Sequence, residues 1–296
     1  MKITTRIPLF LLLSICLAGS KSYAQKTEVG VIVGGSYYWG DIVNTWQPST
    51  IKPAGTFFIR YHIDPRLAFR GGISYASLEG ADASSESLWQ RERNFSFNTQ
   101  VYELAGVVEY NLLPDKNKGR RLKTRFIPYV SGGLALYYFD PKAVNPVTGK
   151  EVQLRNLKLD GETYSPIAFS IPLGVGFRYY LTRNWQIGFE LGARYSLSSN
   201  LDNVRGTSEY VAIAEMTNDD ARIMMAPQQA RVARILESGD TYSMDGARNA
   251  SVGDPRGKNG IFSDVYFIGG VSLSYRLWPR GARSYGGRAI RCPRFY

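Results

Sequence analysis

A chain of 296 residues with 36 Lys+Arg against 25 Asp+Glu carries a formal net charge of +11, and 44% of it is hydrophobic. Two cysteines and one histidine are too few ligands for zinc or iron–sulfur chemistry. Beyond the amino terminus no apolar run approaches the roughly 20 residues a membrane-spanning helix needs, so any bilayer crossing falls to β-strands.

Lys2 and Arg6 precede an apolar run from Ile7 to Ala18, and Ser22-Tyr23-Ala24 places small residues around a cleavage point. Residues 1–24 are therefore expected to be a secretory signal, leaving Gln25 first. Leu13-Ser14-Ile15-Cys16 approximates a lipobox, but Ile15 stands where Gly, Ala or Ser is needed, which disfavours lipidation. Cleavage removes Lys2, Arg6, Lys21 and Cys16, lowering the charge from +11 to +8 and leaving Cys292 as the remaining cysteine. An odd cysteine in an exported chain points to an intermolecular disulfide or a free thiol.

Residues 25–278 contain eight segments that alternate apolar and polar side chains with period two, near 28–40, 53–64, 66–79, 95–113, 124–139, 164–182, 184–200 and 261–278. The clearest runs from Trp185 through Ile187, Phe189, Leu191, Ala193 and Tyr195 to Leu197, against Gln186, Gly188, Glu190, Gly192, Arg194 and Ser196. One oily face and one face of Gly, Ser, Arg and Glu is the pattern of a lipid-facing barrel wall. The fold expected is all-β: an eight-stranded antiparallel transmembrane β-barrel.

The connections sort by length. Asp64-Pro65-Arg66 and Thr182-Arg183-Asn184 are tight turns and Pro114 to Lys123 a moderate basic one; these are expected on the periplasmic side with both termini. Segments 41–52, 80–94, 140–163 and 201–260 are long enough for external loops. Tyr37, Tyr75 and Tyr195 fall near external strand ends, and Tyr61, Tyr110, Tyr179 and Tyr275 near periplasmic ones. Two aromatic girdles are expected from that spacing.

The inward faces collect Arg60, His62, Arg70, Arg178, Arg194 and Arg276 with Glu28, Glu103, Glu109 and Glu190. An eight-stranded barrel has room inside for little beyond its own side chains, so these charges must pair. The pattern favours a salt-bridged plug over an ion-selective pore. Small barrel enzymes exist, and acyl chemistry would need His62 poised against a serine and a carboxylate. His62 and Asp64 share a face, but Ser74 sits several residues up the wall. Asp202 and Asp219-Asp220 lack metal-ligand spacing, and no phosphate-cradling glycine loop is present. The expectation is a non-enzymatic protein with no cofactor, no metal, no nucleic acid and no small-molecule substrate.

Within 201–260, the stretch from Ala226 to Glu237 predicts a short helix with Pro227 at its first position and a Val232/Ile235/Leu236 stripe; residues 208–225 hold a second helical piece. Such helices would cap the mouth or bind a neighbour, capping being favoured. Residues 279–296 form a basic tail beyond a strand-end signal at Leu277 or Trp278. Arg288, Arg291, Cys292, Arg294, Phe295 and Tyr296 give it a composition suited to docking an acidic partner or anionic lipid, the alternative being a solvated end.

Glu28-Val29-Gly30 leading into Gly34-Gly35-Ser36-Tyr37-Tyr38-Trp39-Gly40-Asp41 resembles the opening of the PorG-like outer-membrane barrels of Bacteroidetes. Tyr164 through Gly176, followed by Trp185 to Glu190, Gly192 and Arg194-Tyr195, is similar to that family's penultimate hairpin. Asn200-Leu201-Asp202-Asn203-Val204 departs from the more acidic run expected there. The resemblance implies a component of the type IX secretion system, which in some species supports gliding. Its implied partners are outer-membrane lipid and periplasmic ring proteins, with a Cys292 disulfide as one route of contact. The other readings are a small outer-membrane adhesin and a lipid-modifying barrel enzyme.

Overall fold

A computed structural model describes residues 27–40, 47–81, 96–117, 122–145, 148–157, 164–198, 201, 218–223 and 264–277. The strands are β1 (Thr27–Trp39), β2 (Lys52–His62), β3 (Leu67–Ala81), β4 (Ser96–Asn111), β5 (Phe126–Val144), β6 (Glu151–Gln153), β7 (Ile167–Tyr180), β8 (Trp185–Ser196) and β9 (Val265–Arg276). A single helical turn, α1 (Leu154–Leu157), follows β6. Eight strands pair antiparallel with their neighbours, and β4–β5 pairing on one side with β1–β9 on the other closes the ring. The three-residue β6 lies outside the ring, paired to the end of β5.

Closure leaves none of the eight ring strands with an open edge, which a hydrocarbon environment demands. Two seams are unusually tight, and they lie opposite one another in the ring. A β-carbon on Gly34 would run into the Gly269 carbonyl oxygen across β1–β9, and one on Gly133 into the Gly106 carbonyl oxygen across β4–β5. Pro172 sits inside β7 and offers no N–H. The β5–β7 ladder breaks beside it, between Gly132↔Leu173 and Ala135↔Ser170.

The wall is inside-out. Val33, Ile73, Leu104, Leu134, Phe169, Val175 and Leu191 are exposed, while Glu28, Arg60, Glu109 and Arg178 are buried. No helix among the described residues is long and apolar enough to cross a membrane; the strands supply the apolar band. Tyr75, Tyr102 and Tyr138 are cross-strand partners on β3, β4 and β5, with ring centroids 5.4 and 6.4 Å apart. At the other end stand Tyr110, Tyr179 and the Trp185–Tyr275 pair, 5.0 Å between centroids. Tyr102 to Tyr110 is of the length a tilted strand needs to cross, roughly 9–11 residues. Tyr37 departs from the girdle expectation. It has the outward parity but is 5% exposed: its ring packs against Trp39 and Phe267, each 6.4 Å between centroids, and the Gln47 N–H donates to its hydroxyl at 3.2 Å.

Above the upper tyrosines the polarity reverses. Outward positions become Ser77, Glu79, Asn98, Gln100, Asp140 and Lys142, and inward ones become Ala76, Leu78, Phe97, Val101, Phe139 and Ala143. Tyr38, Leu154, Leu157, Leu201, Ala221 and Tyr266 complete that apolar cluster. This is the pattern of a water-soluble core, where burying each large aliphatic or aromatic side chain contributes about 1.5–3 kcal/mol. The barrel thus carries a small head at its long-loop end. β5 is longer than the periodicity predicted, ending at Val144, and most of the segment expected as a plain loop from 140 builds this head. Residues 219–223 are helical and contribute Ala221, within the second helical piece expected in the long loop. The helix expected over 226–237, the leader 1–24 and most of 201–260 lie outside the described residues.

Candidate functional site: the sealed lumen

The short turns set the base of the lumen. Asp64 Oδ1 accepts from the backbone N–H groups of Arg66 and Leu67 at 2.6 and 2.9 Å, and Thr182 Oγ1 from those of Asn184 and Trp185 at 3.3 and 3.1 Å. In the β4–β5 connection Asn117 Oδ1 accepts from Lys123 N–H at 2.8 Å and Thr124 N–H at 2.9 Å, while its amide donates to the Thr124 carbonyl at 2.5 Å. The Asp115 N–H donates to the Pro65 carbonyl at 2.7 Å, tying this connection to the β2–β3 turn. The Asp115 side chain is thereby held under the barrel mouth.

Its carboxylate meets the lowest layer of lumen charges. Asp115 Oδ2 accepts from Arg276 Nη2 at 2.6 Å and from the Tyr180 hydroxyl at 2.7 Å. Burial pushes the Asp115 carboxyl up, but the Arg276 guanidinium, the Tyr180 hydroxyl and the Asn117 N–H outweigh it and hold the group below the usual carboxylate range. Glu28, fully buried, receives Arg276 Nε at 2.8 Å, Gln186 Nε2 at 2.6 Å, Arg60 Nη1 at 2.8 Å and a contact with His62 Nε2 at 2.8 Å.

One layer up, Glu109 Oε2 accepts from Arg60 Nε at 2.7 Å and Oε1 pairs with Arg70 Nε at 3.0 Å, with Arg178 Nη1 at 3.6 Å from Oε2. Arg178 Nη2 also donates to Asn111 Oδ1. Arg70 forks onto Glu190 at 2.5 and 2.7 Å, and the Tyr129 hydroxyl donates to the same carboxylate at 2.6 Å. Such bidentate, charge-assisted bonds are the strong ones. Aromatic faces cover the guanidiniums: Arg60 lies 4.8 Å from the Phe58 centroid and Arg178 4.9 Å from that of Tyr129. Higher still, Glu103 accepts from the Tyr266 hydroxyl at 2.6 Å and stands 3.7 Å from Arg194 Nε. A cavity of about 20 Å³ between Ser74, Glu103, Glu190 and Arg194 has room for roughly one water.

These contacts bring Glu28, Arg60, Arg70, Glu109, Arg178, Glu190 and Arg276 together as one buried network, with Glu103 and Arg194 as a buried pair above it. Arg60, Arg70, Arg178, Arg194 and Arg276 face Glu28, Glu103, Glu109, Glu190 and Asp115, five cations against five anions. Asp115 closes that balance, and sequence reasoning missed it, because it lies off the strands where no alternation applies. Tyr129, Tyr180 and Asn111 were missed as well, although their inward parity was a usable signal; Gln186 was placed on the inward face but not in the network. His62 is committed to Glu28 and Arg276, whereas Ser74 contacts Thr56 Oγ1 at 2.9 Å and Glu103 at 3.4 Å, so these two side chains do not pair as nucleophile and base. Among the described residues no group of three or more His, Cys, Asp or Glu is arranged to hold a metal. Arg288, Arg291, Cys292, Arg294, Phe295 and Tyr296 lie outside the described residues.

An inside-out wall around an interior of paired charges defines an eight-stranded antiparallel barrel of the outer-membrane type. More particularly, the chain belongs to the family described as "Domain of unknown function (DUF6089)", whose model matches residues 6–223. It is similar to Neisserial surface protein A (8% identity, 84% of this chain and 96% of that one, TM-score 0.42). It is also similar to OprG of Pseudomonas aeruginosa (8%, 86% and 97%, TM-score 0.37). A third is the N-terminal barrel domain of Pseudomonas aeruginosa OprF (10%, 85% and 97%, TM-score 0.36). No curated protein sequence matches the chain.

Proposed function

We propose that this protein is a non-enzymatic outer-membrane anchor in a protein-secretion machine of the type IX kind, holding periplasmic ring subunits and, where that machine drives movement, serving gliding. The observation that carries the anchoring role is a lumen filled, among the described residues, by paired charges, with the Asp115–Arg276 contact at its base and the apolar head at its other end. A barrel filled in this way works through its surfaces. The secretion assignment is supported by the resemblance of the Glu28–Asp41 and Tyr164–Tyr195 blocks to PorG-like barrels, and the tail 279–296 with Cys292 is the proposed ring contact. The test is a non-reducing pull-down of the membrane-inserted protein, comparing wild type, Cys292→Ser and a chain ending at 278. Ring proteins retained by wild type and lost on truncation support the role. A bare barrel from all three overturns it.

One observation favours a second reading. The head is a folded element beyond the girdle, as a surface-displayed adhesin would present. Deleting 202–260 should then abolish surface attachment while truncation at 278 leaves it intact; the anchor reading expects the reverse weighting for ring association.

A further inference from the structure

The short-turn end carries a pattern that the sealed lumen does not use. Its exposed charged side chains, among the described residues, are Arg66, Lys116, Lys123 and Arg125, against Asp64 alone, which accepts from two backbone N–H groups. At the long-loop end, among the described residues, cations meet anions: Lys52 pairs with Glu79 at 2.6 Å and Arg222 with Asp219 at 3.4 Å. Apolar side chains accompany the cations. Ile63, Leu112 and Leu181 are 46, 50 and 51% exposed beyond the ends of β2, β4 and β7. In water these would be a liability, whereas in a bilayer they extend the apolar band past the lower girdle and carry their basic neighbours to headgroup level. Arg66 fixes that level directly, with Nη1 3.4 Å from the Tyr110 hydroxyl and 3.3 Å from the Leu112 carbonyl. Arg125 adjoins the exposed Phe126, and its carbonyl receives the Tyr180 N–H at 2.9 Å.

We propose that this end is a binding surface for the phosphate headgroups of anionic phospholipids in the leaflet it faces. Arg66 and Arg125 engage at the girdle, and Lys116 and Lys123 reach from the connection that Asn117 holds in shape. An acidic protein would meet exposed cations equally well. It would not account for the leucines interleaved with them at girdle height, so lipid is the occupant assigned. The inference rests on the barrel spanning an outer membrane.

The test uses the full chain in nanodiscs of phosphatidylcholine with increasing phosphatidylglycerol, reading co-purified lipid by native mass spectrometry. Wild type is compared with Arg66→Gln/Lys116→Gln/Lys123→Gln/Arg125→Gln, whose sites are exposed and outside the lumen network. Basic residues near an anionic surface each contribute about fivefold, so wild type should retain phosphatidylglycerol about tenfold or more over phosphatidylcholine. The variant, which keeps Lys118, Arg120 and Arg121, should lose at least about fivefold of that preference. Equal retention of both lipids by inserted wild type overturns the inference alone, as does an unchanged preference in the variant. Displacement of lipid by poly-glutamate of matched charge overturns it in favour of an acidic partner. Failure to insert into any lipid mixture overturns the membrane reading with it.

Discussion

Arg276 Nη2 lies 2.6 Å from Asp115 Oδ2, joining the last strand of the barrel to the connection between β4 and β5. The contact makes a residue outside the wall the fifth anion of the lumen. Replacing Asp115 by Asn should leave Arg276 sharing Glu28 with Arg60 and His62, at a cost of about 2–3 kcal/mol for an under-compensated buried charge. Urea unfolding in detergent checks this, and an unchanged midpoint would show that the connection does not close the network.

The same carboxyl sets a pH dependence. Because its folded value lies below the unfolded value of about 4, its stabilisation is complete above that pH. It is lost as pH falls through the lower folded value. The stability of wild type should therefore decline on that acid limb more steeply than that of Asp115→Asn. Matching slopes would assign acid sensitivity to other carboxylates.

Glu109 is the harshest single test of the lumen. It faces Arg60, Arg70 and Arg178, so Glu109→Gln strands more positive charge than any other carboxamide exchange in the network. A loss of about 3–5 kcal/mol is expected, seen as a lower temperature for the mobility shift of the folded band in gels. Wild type in planar bilayers should show no steady conductance; a stable open level would contradict the sealed lumen.

Glycine substitutions separate close approach from mere composition. Gly133→Val should block β4–β5 closure and abolish the folded band, since the added carbon meets the Gly106 carbonyl. Gly71→Val faces open space with no atom within 4 Å and should fold normally. If both behave alike, the tight seam is not a folding determinant.

The head should melt apart from the wall. Leu78→Asp places a charge in its apolar cluster, with Leu78 fully buried. Hydrogen exchange should then show lost protection over 76–81, 96–101 and 139–144 while the strands below the upper tyrosines stay protected. Global unfolding would mean that head and barrel are one cooperative unit.

Period-two alternation made the barrel legible, because a wall with lipid outside and ion pairs inside reverses the usual sense of inward and outward without changing the period. Arg178 and Glu190 were readable from parity alone. The head was not. Beyond Tyr138 the alternation continues through Phe139, Asp140, Pro141, Lys142 and Ala143, but with apolar residues on the inner parity. A lipid-wall template therefore ends β5 too early. Tyr37 and Asp115 escaped for a different reason: each is positioned by a segment folding back over it or carrying it back, and no local pattern encodes that return.

The polarity switch at Tyr75, Tyr102 and Tyr138 also dictates an order of assembly. In a barrel inserted from its short-turn side, the strand ends bearing Leu78, Phe97, Val101 and Phe139 would cross the bilayer before these side chains could find one another, so the head would condense on the far side. Once condensed, with Ser77, Gln100, Asp140 and Lys142 turned outward, it cannot be drawn back through hydrocarbon without first coming apart. Inserted from that side, such a head would act as a rivet, opposing withdrawal of the barrel toward its short-turn end.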